Sequence, residues 1–191
     1  EEAFTKIYET KHWGANEKGE GFSGPGSTVR SAAPYMKFVQ DFIKKHNIRT
    51  IVDVGCGDWT FSQYMDWNDA QYTGYDIVKS VIEKNTEKFA GSKVTFIHGD
   101  ATKLDLPAAD LLICKDVLQH LPNAEILAFL KQASKFKHCL ITNDIHDINN
   151  GDIPHGNWRY IDLSQTPFNV KGKEVFRYTD ATTKLVFHIE N

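Results

Sequence analysis

The stretch Ile51-Val52-Asp53-Val54-Gly55-Cys56-Gly57-Asp58 decides the fold of this chain. Its β-branched residues predict a strand that is buried on both faces, and that strand stops in a Gly-x-Gly turn. Gly55 and Gly57 allow positive φ angles and let a ligand approach the main chain closely. Acidic residues lie inside the strand, at Asp53, and directly after the turn, at Asp58. Because carboxylates repel phosphate, the turn favours a ligand that carries an amine and hydroxyl groups.

Strands and helices alternate from Thr50 onward. Short apolar runs predict strands over residues 50–54, 71–75, 93–98, 110–114 and 139–142. Helices are predicted over 59–65, 78–89 and 123–135, and earlier over 2–11 and in a segment that ends at Lys44-Lys45-His46. This alternation predicts an α/β, mostly parallel, doubly wound sheet. Two alternating segments, 174–179 and 184–189, joined by Asp180-Ala181-Thr182-Thr183, predict a closing antiparallel hairpin over 172–190.

A glycine-rich segment precedes the first long helix. Residues 19–27 follow Trp13-Gly14, and they predict a lid-like N-terminal segment over 1–30, because long irregular segments often close over ligands. A flexible linker is the alternative, although a spacer has no need of Trp13. We expect Ser27 or Ser31 to cap the helix and Pro34 to lie in its first turn.

Length and composition set the class of protein. The chain has 191 residues, which suits one domain over 1–191. Its net charge of −3 disfavours nucleic acid and anionic membranes as partners, and no apolar run is long enough to span a bilayer. The three cysteines lack metal-like spacing, and two lie in predicted core strands, which indicates a reducing, cytoplasmic setting. The chain begins at Glu1 rather than Met, which suggests one domain of a longer polypeptide.

Acidic residues end three successive predicted strands. The dinucleotide pattern is incomplete, since Gly55-Cys56-Gly57-Asp58-Trp59-Thr60 lacks its third glycine. Asp76 lies 21 residues after Gly55, where a carboxylate can accept both ribose hydroxyls. Gly99-Asp100 ends the third strand, where it could recognise an adenine amino group. Any one acid could simply be a turn residue, but the three together predict a nucleoside ligand without phosphates.

These residues resemble the class I S-adenosylmethionine-dependent methyltransferases over nearly the whole chain. The resemblance rests on Val52-Asp53-Val54-Gly55-Cys56-Gly57-Asp58, Asp76, Gly99-Asp100-Ala101 and Cys114-Lys115-Asp116-Val117-Leu118-Gln119-His120-Leu121-Pro122. It implies a Rossmann-like seven-stranded sheet with an antiparallel last strand, helices on both faces, and S-adenosyl-L-methionine as cofactor. Trp13-Gly14 and Ser23-Gly24-Pro25-Gly26-Ser27 are similar to a subgroup of small methyltransferases, some of them in glycan or secondary-metabolite pathways.

The resemblance also implies where the cofactor lies. The cofactor-binding core spans 50–145, with the amino-acid end of the cofactor along 53–57, its ribose at Asp76 and its adenine near Asp100 and Ala101. The predicted cofactor-binding residues are Trp13, Ser27, Asp53, Gly55, Cys56, Gly57, Asp58, Asp76, Ile77, Asp100, Ala101, Lys115, Asp116 and Val117.

The class of methyl acceptor is predicted from two sequence motifs of related methyltransferases that this chain does not match. Enzymes of this class that methylate base amino groups or glutamine amides resemble one another in an Asn/Asp-Pro-Pro-aromatic run, whereas this chain has Lys115-Asp116-Val117-Leu118. It also lacks the Pro-Cys of enzymes that attack pyrimidine C5. We therefore expect methyl transfer to a hydroxyl of a small polar acceptor, such as a sugar or glycan. The alternatives are a methyltransferase acting on nucleic acid or protein, and a non-catalytic cofactor-binding regulatory domain.

His120 is the predicted general base. It lies just beyond the fourth strand, and an imidazole titrates near neutral pH, so it can take a hydroxyl proton. Asp144, at the end of the fifth strand, is predicted to orient that imidazole. The pair resembles that of sugar O-methyltransferases, which have a His in a Leu-x-His-Met/Leu-Pro context and an acid after strand five. Alternatively, His120 packs the helix, Asp144 caps a loop, and catalysis relies on proximity alone.

The polar segment 146–170 is the predicted substrate loop, with a plain surface loop as the alternative. Its candidate acceptor-binding residues are His146, Trp158 and Arg159, together with Asp116, and Trp158 would provide a stacking face. Asp116, Asp144, His146 and Asp147 could in principle hold a divalent metal. Their spacing matches no metal motif, so no metal site is predicted.

Overall fold

The computed structural model describes residues 1–179 and 181–191 and contains one seven-stranded sheet. Its strands are β1 (Thr50–Val54), β2 (Gln71–Asp76), β3 (Val94–His98), β4 (Ala109–Lys115), β5 (Phe136–Asp144), β6 (Lys173–Thr179) and β7 (Thr183–Glu190). They are arranged in the order β3-β2-β1-β4-β5-β7-β6. Asp180, which the predicted hairpin turn includes, lies outside the described residues.

The direction of the strands confirms the predicted fold class. β1 pairs in parallel with both β2 and β4, and β4 pairs in parallel with β5. β7 runs antiparallel to β5 and to β6, so it is the reversed last strand. Ile51, Val52 and Val54 are at most 5% exposed, as expected for a central strand with both faces covered.

Helices cover both faces of the sheet, as predicted. They are α1 (Glu2–Glu9), α2 (Val29–Lys45), α3 (Lys79–Phe89) and α4 (Asn123–Leu130). On one face α2 packs its apolar stripe, including Val39 and Ile43, against the sheet, and α3 adds Ile82. On the other face α4 contributes Ile126 and Phe129. The carboxyl ends of β1, β2, β4 and β5 therefore meet at one edge of the sheet, where open parallel sheets bind ligands.

The helix predicted over 59–65 is wrong. Only a short 3-10 turn, Ser62–Tyr64, forms there. Trp59 has a φ of 58°, a left-handed conformation in which an α-helix cannot begin. Its indole is 6% exposed and donates a 2.9 Å hydrogen bond from Nε1 to the Tyr72 hydroxyl. Burial of this large ring and its hydrogen bond offset the backbone cost.

Three smaller expectations also need correction. Thr28, rather than Ser27 or Ser31, caps α2, and its Oγ1 accepts a 3.2 Å hydrogen bond from the Ser31 amide. Pro34 lies inside α2 rather than in its first turn; it has no N–H, so it cannot donate to the carbonyl one turn earlier. The last predicted helix, 123–135, ends at Leu130 and is followed by a separate 3-10 turn, Ala133–Lys135.

The segment between β5 and β6 contains neither helix nor strand, as predicted. Asn150 braces it, because its amide donates 2.9 Å hydrogen bonds to the carbonyls of Asp162 and Thr166. In the part of the chain that the structure describes, no helix is both long and apolar enough to cross a membrane.

Candidate functional site

A cavity of about 430 Å³ opens at the carboxyl ends of the parallel strands. All of the predicted cofactor-binding residues line this cavity. They lie at the ends of β1, β2, β3 and β4 and in the N-terminal segment. The topology accounts for this convergence, since β2, β1 and β4 are adjacent in the sheet and end at the same edge. Residues that are far apart in the sequence therefore surround a single space.

The Gly-x-Gly turn after β1 is held in place by Asp76. Gly55 has a φ of 72°, and a Cβ atom there would lie 2.2 Å from a methyl group of Val117, so only glycine fits. The Gly57 amide donates to Oδ2 of Asp76 at 3.0 Å, and the Val78 amide donates to Oδ1 at 2.9 Å. Burial raises the pKa of Asp76, although these amides oppose the shift. Each carboxylate oxygen keeps a lone pair that can accept a ligand hydroxyl.

Asp53 is a buried acid in the lining of the cavity. Its Oδ2 accepts a 2.6 Å hydrogen bond from the Tyr72 hydroxyl. Burial raises the pKa of Asp53 to about 7, although the Tyr72 hydrogen bond and the charge of Lys115 lower it. An approaching cation would favour the ionised form, so this site suits the amine that the sequence predicted there.

Asp100 lines the cavity, but its carboxylate is hydrogen-bonded to residues of its own turn. Its Oδ1 accepts hydrogen bonds from the amide and the hydroxyl of Thr102, at 3.0 and 2.6 Å, and its Oδ2 accepts one from Lys103 at 2.6 Å. Burial raises its pKa, but these hydrogen bonds outweigh burial and lower the pKa overall. Asp100 therefore orders the turn after β3, beside Ala101, which is 7% exposed.

The N-terminal segment lies directly on the Gly-x-Gly turn. The Ser23 amide and hydroxyl donate to the Asp58 carboxylate at 3.2 and 3.0 Å, and the Asp58 amide donates back to Ser23 Oγ at 2.9 Å. The Tyr8 hydroxyl also bonds Ser23 Oγ, at 2.7 Å. Sequence reasoning missed Ser23 and Tyr8. The available signals were a serine inside the Gly/Pro-rich run and a tyrosine on the apolar side of α1.

Four charged side chains form a buried cluster that reaches the lining of the cavity through Lys115 and Asp116. Lys184 Nζ lies 2.9 Å from Asp116 Oδ1 and 2.7 Å from Asp144 Oδ1, and Lys115 Nζ lies 2.5 Å from Asp116 Oδ2. Burial alone would lower the pKa of Lys184, but Asp116 and Asp144 raise it overall. Asp116 has a φ of 57°, and such backbone strain in a non-glycine residue often occurs at functional sites.

Lys184 also escaped prediction. The signal for it was a lysine at the start of β7, two residues before the buried Val186 on the same face of the strand, where a charge needs a buried partner.

The orienting partner of His120 differs from the prediction. Its Nδ1 lies 3.0 Å from the carbonyl oxygen of Asn157, and its ring lies 5.2 Å from that of Trp13. Asp144 instead accepts hydrogen bonds from Gln119 at 2.9 Å, Trp158 at 3.1 Å, Thr182 and Lys184. The predicted His120–Asp144 contact is therefore replaced by a contact with the main chain, because the four other donors occupy the Asp144 carboxylate.

The protonation state of His120 follows from this geometry. A carbonyl oxygen can only accept, so Nδ1 carries the hydrogen and Nε2 presents a lone pair. Among residues 1–179 and 181–191, no side chain or main-chain group is hydrogen-bonded to Nε2. Burial lowers the pKa of His120, although the Asn157 contact and the charges of Asp116 and Asp144 oppose the shift. The cavity thus contains a neutral imidazole with a free basic nitrogen.

Three of the predicted acceptor-binding residues lie outside the lining of this cavity, whereas Asp116 lies within it. Arg159 is 4% exposed, and its guanidinium donates to the Leu121 carbonyl at 3.0 Å and to Asn123 Oδ1 at 2.7 Å. It therefore fixes the loop to the start of α4. Trp158 donates to Asp144, and His146 lines a second, separate cleft. The loop instead reaches the cavity through His155 and contacts His120 through the Asn157 carbonyl.

Asp116, Asp144, His146 and Asp147 are the candidate metal ligands of this region. Across the described ranges, no group of three or more histidine, cysteine, aspartate or glutamate side chains is arranged to hold a metal ion. The carboxylates of Asp116 and Asp144 are paired with lysines.

Comparisons with known proteins agree with this geometry. The family model described as "Methyltransferase domain" matches residues 51–137. A comparison with curated protein sequences found no match. The N-methyltransferase NodS from Bradyrhizobium japonicum WM9, solved with S-adenosyl-L-homocysteine, has a TM-score of 0.69 at 13% identity, covering 97% of this chain and 98% of NodS.

Two further solved structures share the fold. Magnesium protoporphyrin IX methyltransferase from Synechocystis PCC 6803, with bound SAH, has a TM-score of 0.63 at 16% identity, covering 96% of this chain and 84% of that enzyme. Human N-acetylserotonin methyltransferase, in complex with SAM, has a TM-score of 0.61 at 14% identity, covering 100% of this chain and 59% of that enzyme.

Proposed function

We propose that this chain is a class I S-adenosylmethionine-dependent methyltransferase that transfers the methyl group to a hydroxyl oxygen of a small polar acceptor, with a sugar or glycan as the favoured class. The observation that carries the proposal is the neutral His120 in the cavity, whose Nδ1 is held by the Asn157 carbonyl and whose Nε2 is free to accept a proton. A hydroxyl acceptor needs such a base, because it loses its proton when the oxygen is methylated.

The cavity fits the cofactor. S-adenosylmethionine supplies an electrophilic methyl group on a positively charged sulfonium. The lining contains eight carboxylates (Glu1, Glu2, Asp53, Asp58, Asp76, Asp100, Asp116 and Glu125) and two lysines (Lys103 and Lys115), which favours a cation. Asp76 would accept the ribose hydroxyls, Asp53 would hold the amine, and the surface around Asp100 and Ala101 would receive the adenine.

His120 would act on the acceptor. Its Nε2 accepts the hydroxyl hydrogen, and the proton moves to Nε2 as the oxygen gains the methyl group. The resulting imidazolium keeps its Nδ1–H bond to the Asn157 carbonyl, and the charges of Asp116 and Asp144 stabilise it. Trp13, next to His120, would provide a flat face for the acceptor ring.

Two segments would exclude water from the reaction. We assign a lid role to residues 1–30, supported by the contacts of Ser23 with Asp58 and by the bond from Lys115 Nζ to the Gly26 carbonyl at 3.1 Å. We infer that the loop 146–170 covers the opposite side of the acceptor, with His155 and the main chain of Asn157 as its contributing groups. In this assignment, Trp158 and Arg159 position the loop rather than contact the acceptor.

A cytoplasmic location is part of the proposal. Cys56, Cys114 and Cys139 are free thiols within the described ranges, which fits a reducing compartment. The excess of carboxylates in the cavity also disfavours polyanions, and hence nucleic acid, as the acceptor.

A turnover screen tests the proposal. Wild-type protein is incubated with methyl-labelled cofactor and with sugars, glycans, catechols, proteins or RNA, while calorimetry measures S-adenosylhomocysteine binding. We expect labelled methyl ethers of a sugar, and Asp76→Ala should weaken cofactor binding strongly. Transfer to protein, to RNA or to an amine would contradict the acceptor class. Cofactor binding without turnover on any acceptor would support a regulatory domain instead.

A further inference from the structure

Three histidines meet where the carboxyl end of α2 crosses β5 and β7. His46 is the C-cap residue of α2, His138 lies near the start of β5, and His188 lies near the end of β7. His138 pairs with Glu190, so His188, two positions earlier in β7, is its diagonal neighbour on the same face of the sheet. We call these three residues the histidine cluster. None of them lines the cofactor cavity.

The rings of the histidine cluster are in direct contact. Nδ1 of His138 lies 3.1 Å from Nε2 of His188, and the ring centroids of His46 and His138 are 4.6 Å apart. The Phe42 ring stacks on His46 at 4.1 Å and meets His138 and His188 in T-shaped contacts at 5.4 and 5.2 Å. At this point α2 therefore packs on the sheet through Phe42 and three rings that can each take up a proton.

The contact between His138 and His188 requires a neutral imidazole. One of the two facing nitrogens donates the hydrogen and the other accepts it, whereas every nitrogen of two imidazolium rings carries a hydrogen. His188 is 3% exposed, and within the described part of the chain its Nδ1 has no hydrogen-bond partner. Burial and the charge of His138 lower the pKa of His188, and the same two causes, together with Lys45, lower the pKa of His46.

The charged groups that face the cluster do not compensate for added protons. Lys45 of α2 and Lys173, which pairs with His188 from β6, are both positive. Glu190 of β7 is negative, and its Oε1 lies 4.0 Å from Nδ1 of His138. Its side chain is 55% exposed and its other oxygen lies 3.9 Å from Lys173, so its attraction is weak. A second and a third proton on the cluster therefore meet net repulsion.

We propose that the histidine cluster is an acid-sensitive contact, which holds the carboxyl end of α2 on β5 and β7 at neutral pH and releases it in mild acid. The pKa values of His46 and His188 are lowered in the folded state, so the unfolded chain binds more protons in mild acid. The stability that the cluster contributes is intact above the unfolded-state pKa of about 6.5 and is lost as pH falls below it. This contact is independent of the proposed methyl transfer.

Urea unfolding at pH 7.5, 6.5 and 5.5, without cofactor, tests the proposal. His46→Gln and His188→Gln keep a hydrogen-bonding side chain that does not titrate. We expect the unfolding equilibrium constant of each variant, divided by that of the wild type at the same pH, to fall by about threefold or more from pH 7.5 to pH 5.5. Asp53 titrates in all of these proteins alike, so its own pH dependence cancels in this ratio.

A control variant and an NMR titration locate the effect. His12→Gln, at an exposed position, should give a ratio that does not change with pH. In the wild type, the imidazole resonances of His46 and His188 should titrate below about pH 6.5, and the amide resonances of residues 42–46 should shift with the same midpoint. If His188→Gln does not fold, His46→Gln, at a partly exposed helix cap, carries the test. A ratio that stays constant with pH in the cluster variants, an equal change in His12→Gln, or amides 42–46 that do not follow the titration would each overturn the proposal.

Discussion

His120 and Asn157 are joined by a 3.0 Å contact between the imidazole Nδ1 and the main-chain carbonyl oxygen. The contact joins the turn after β4 to the loop after β5, and it fixes the tautomer in which Nε2 is the basic nitrogen. Because a main-chain carbonyl makes this contact, no substitution at position 157 removes the acceptor. His120 itself is therefore the residue to change.

We predict that His120→Gln lowers kcat by about 100- to 10,000-fold, the usual range for loss of a general base. The cofactor contacts are untouched, so calorimetry should give an unchanged affinity for S-adenosylhomocysteine. His12→Gln, an exposed histidine near the end of α1, is the matched control and should retain full activity. An unchanged kcat in His120→Gln would mean that proximity alone carries the reaction.

The pH dependence of the reaction provides a separate prediction. Burial lowers the pKa of His120, and the base must be neutral to accept a proton. We expect kcat, measured at saturating cofactor and acceptor, to stay constant at neutral pH and to decline only below the usual titration range of histidine. The same profile measured for His120→Gln should lack this acidic limb. A limb that persists in the variant would assign the titration to another group.

Asp53 should make the protein less stable as pH rises. Its folded-state pKa is about 7, whereas in the unfolded chain the group loses its proton near pH 4. The raised folded pKa contributes stability that is complete below the unfolded pKa and is lost as pH rises from there through 7, by roughly 4 kcal/mol in all and by roughly 3 kcal/mol between pH 5 and pH 8. Asp53→Asn keeps an acceptor for Tyr72 and should remove this dependence. Urea unfolding at pH 5 and pH 8, without cofactor, measures it, with the exposed Asp147→Asn as control.

Lys184→Met should destabilise the fold by about 3–5 kcal/mol, since it leaves the buried charge of Asp144 without a cationic partner and that of Asp116 with Lys115 alone. Lys137→Met is the matched control: its side chain is 74% exposed, and loss of its pair with Asp110 should cost less than about 1 kcal/mol. Chemical unfolding of both variants gives the comparison. Equal losses of unfolding free energy in the two variants would mean that the buried cluster stabilises the fold no more than a surface ion pair does.

Ser23→Ala should loosen the N-terminal segment, because it removes the hydroxyl that bonds Asp58 and Tyr8. We expect faster proteolytic cleavage within residues 1–30 and an affinity for S-adenosylhomocysteine lowered by about fivefold or more. Thr10→Ala, which removes an exposed hydroxyl bonded to the Lys6 carbonyl, should change neither quantity. Unchanged proteolysis in Ser23→Ala would contradict the lid role.

The sequence by itself was sufficient for the fold class. Apolar runs identified the seven strands, and acids placed after the Gly-x-Gly turn and at the ends of β2 and β3 predicted a cavity at one sheet edge. Such inferences succeed because strand alternation and turn chemistry depend on residues that are close in the sequence. The helix after β1 failed because Trp59 gains more from burial against Tyr72 than from helical geometry.

The tertiary structure alone decided which groups meet. Asp144 is a natural partner for His120 on sequence grounds, but the fold brings Lys184 and Trp158 to it and leaves His120 to the Asn157 carbonyl. Ser23 reaches Asp58 in the same way, across 35 positions of sequence. These contacts depend on distances set by the packing of whole elements. Which donors form hydrogen bonds to a buried carboxylate is therefore determined only by the tertiary fold.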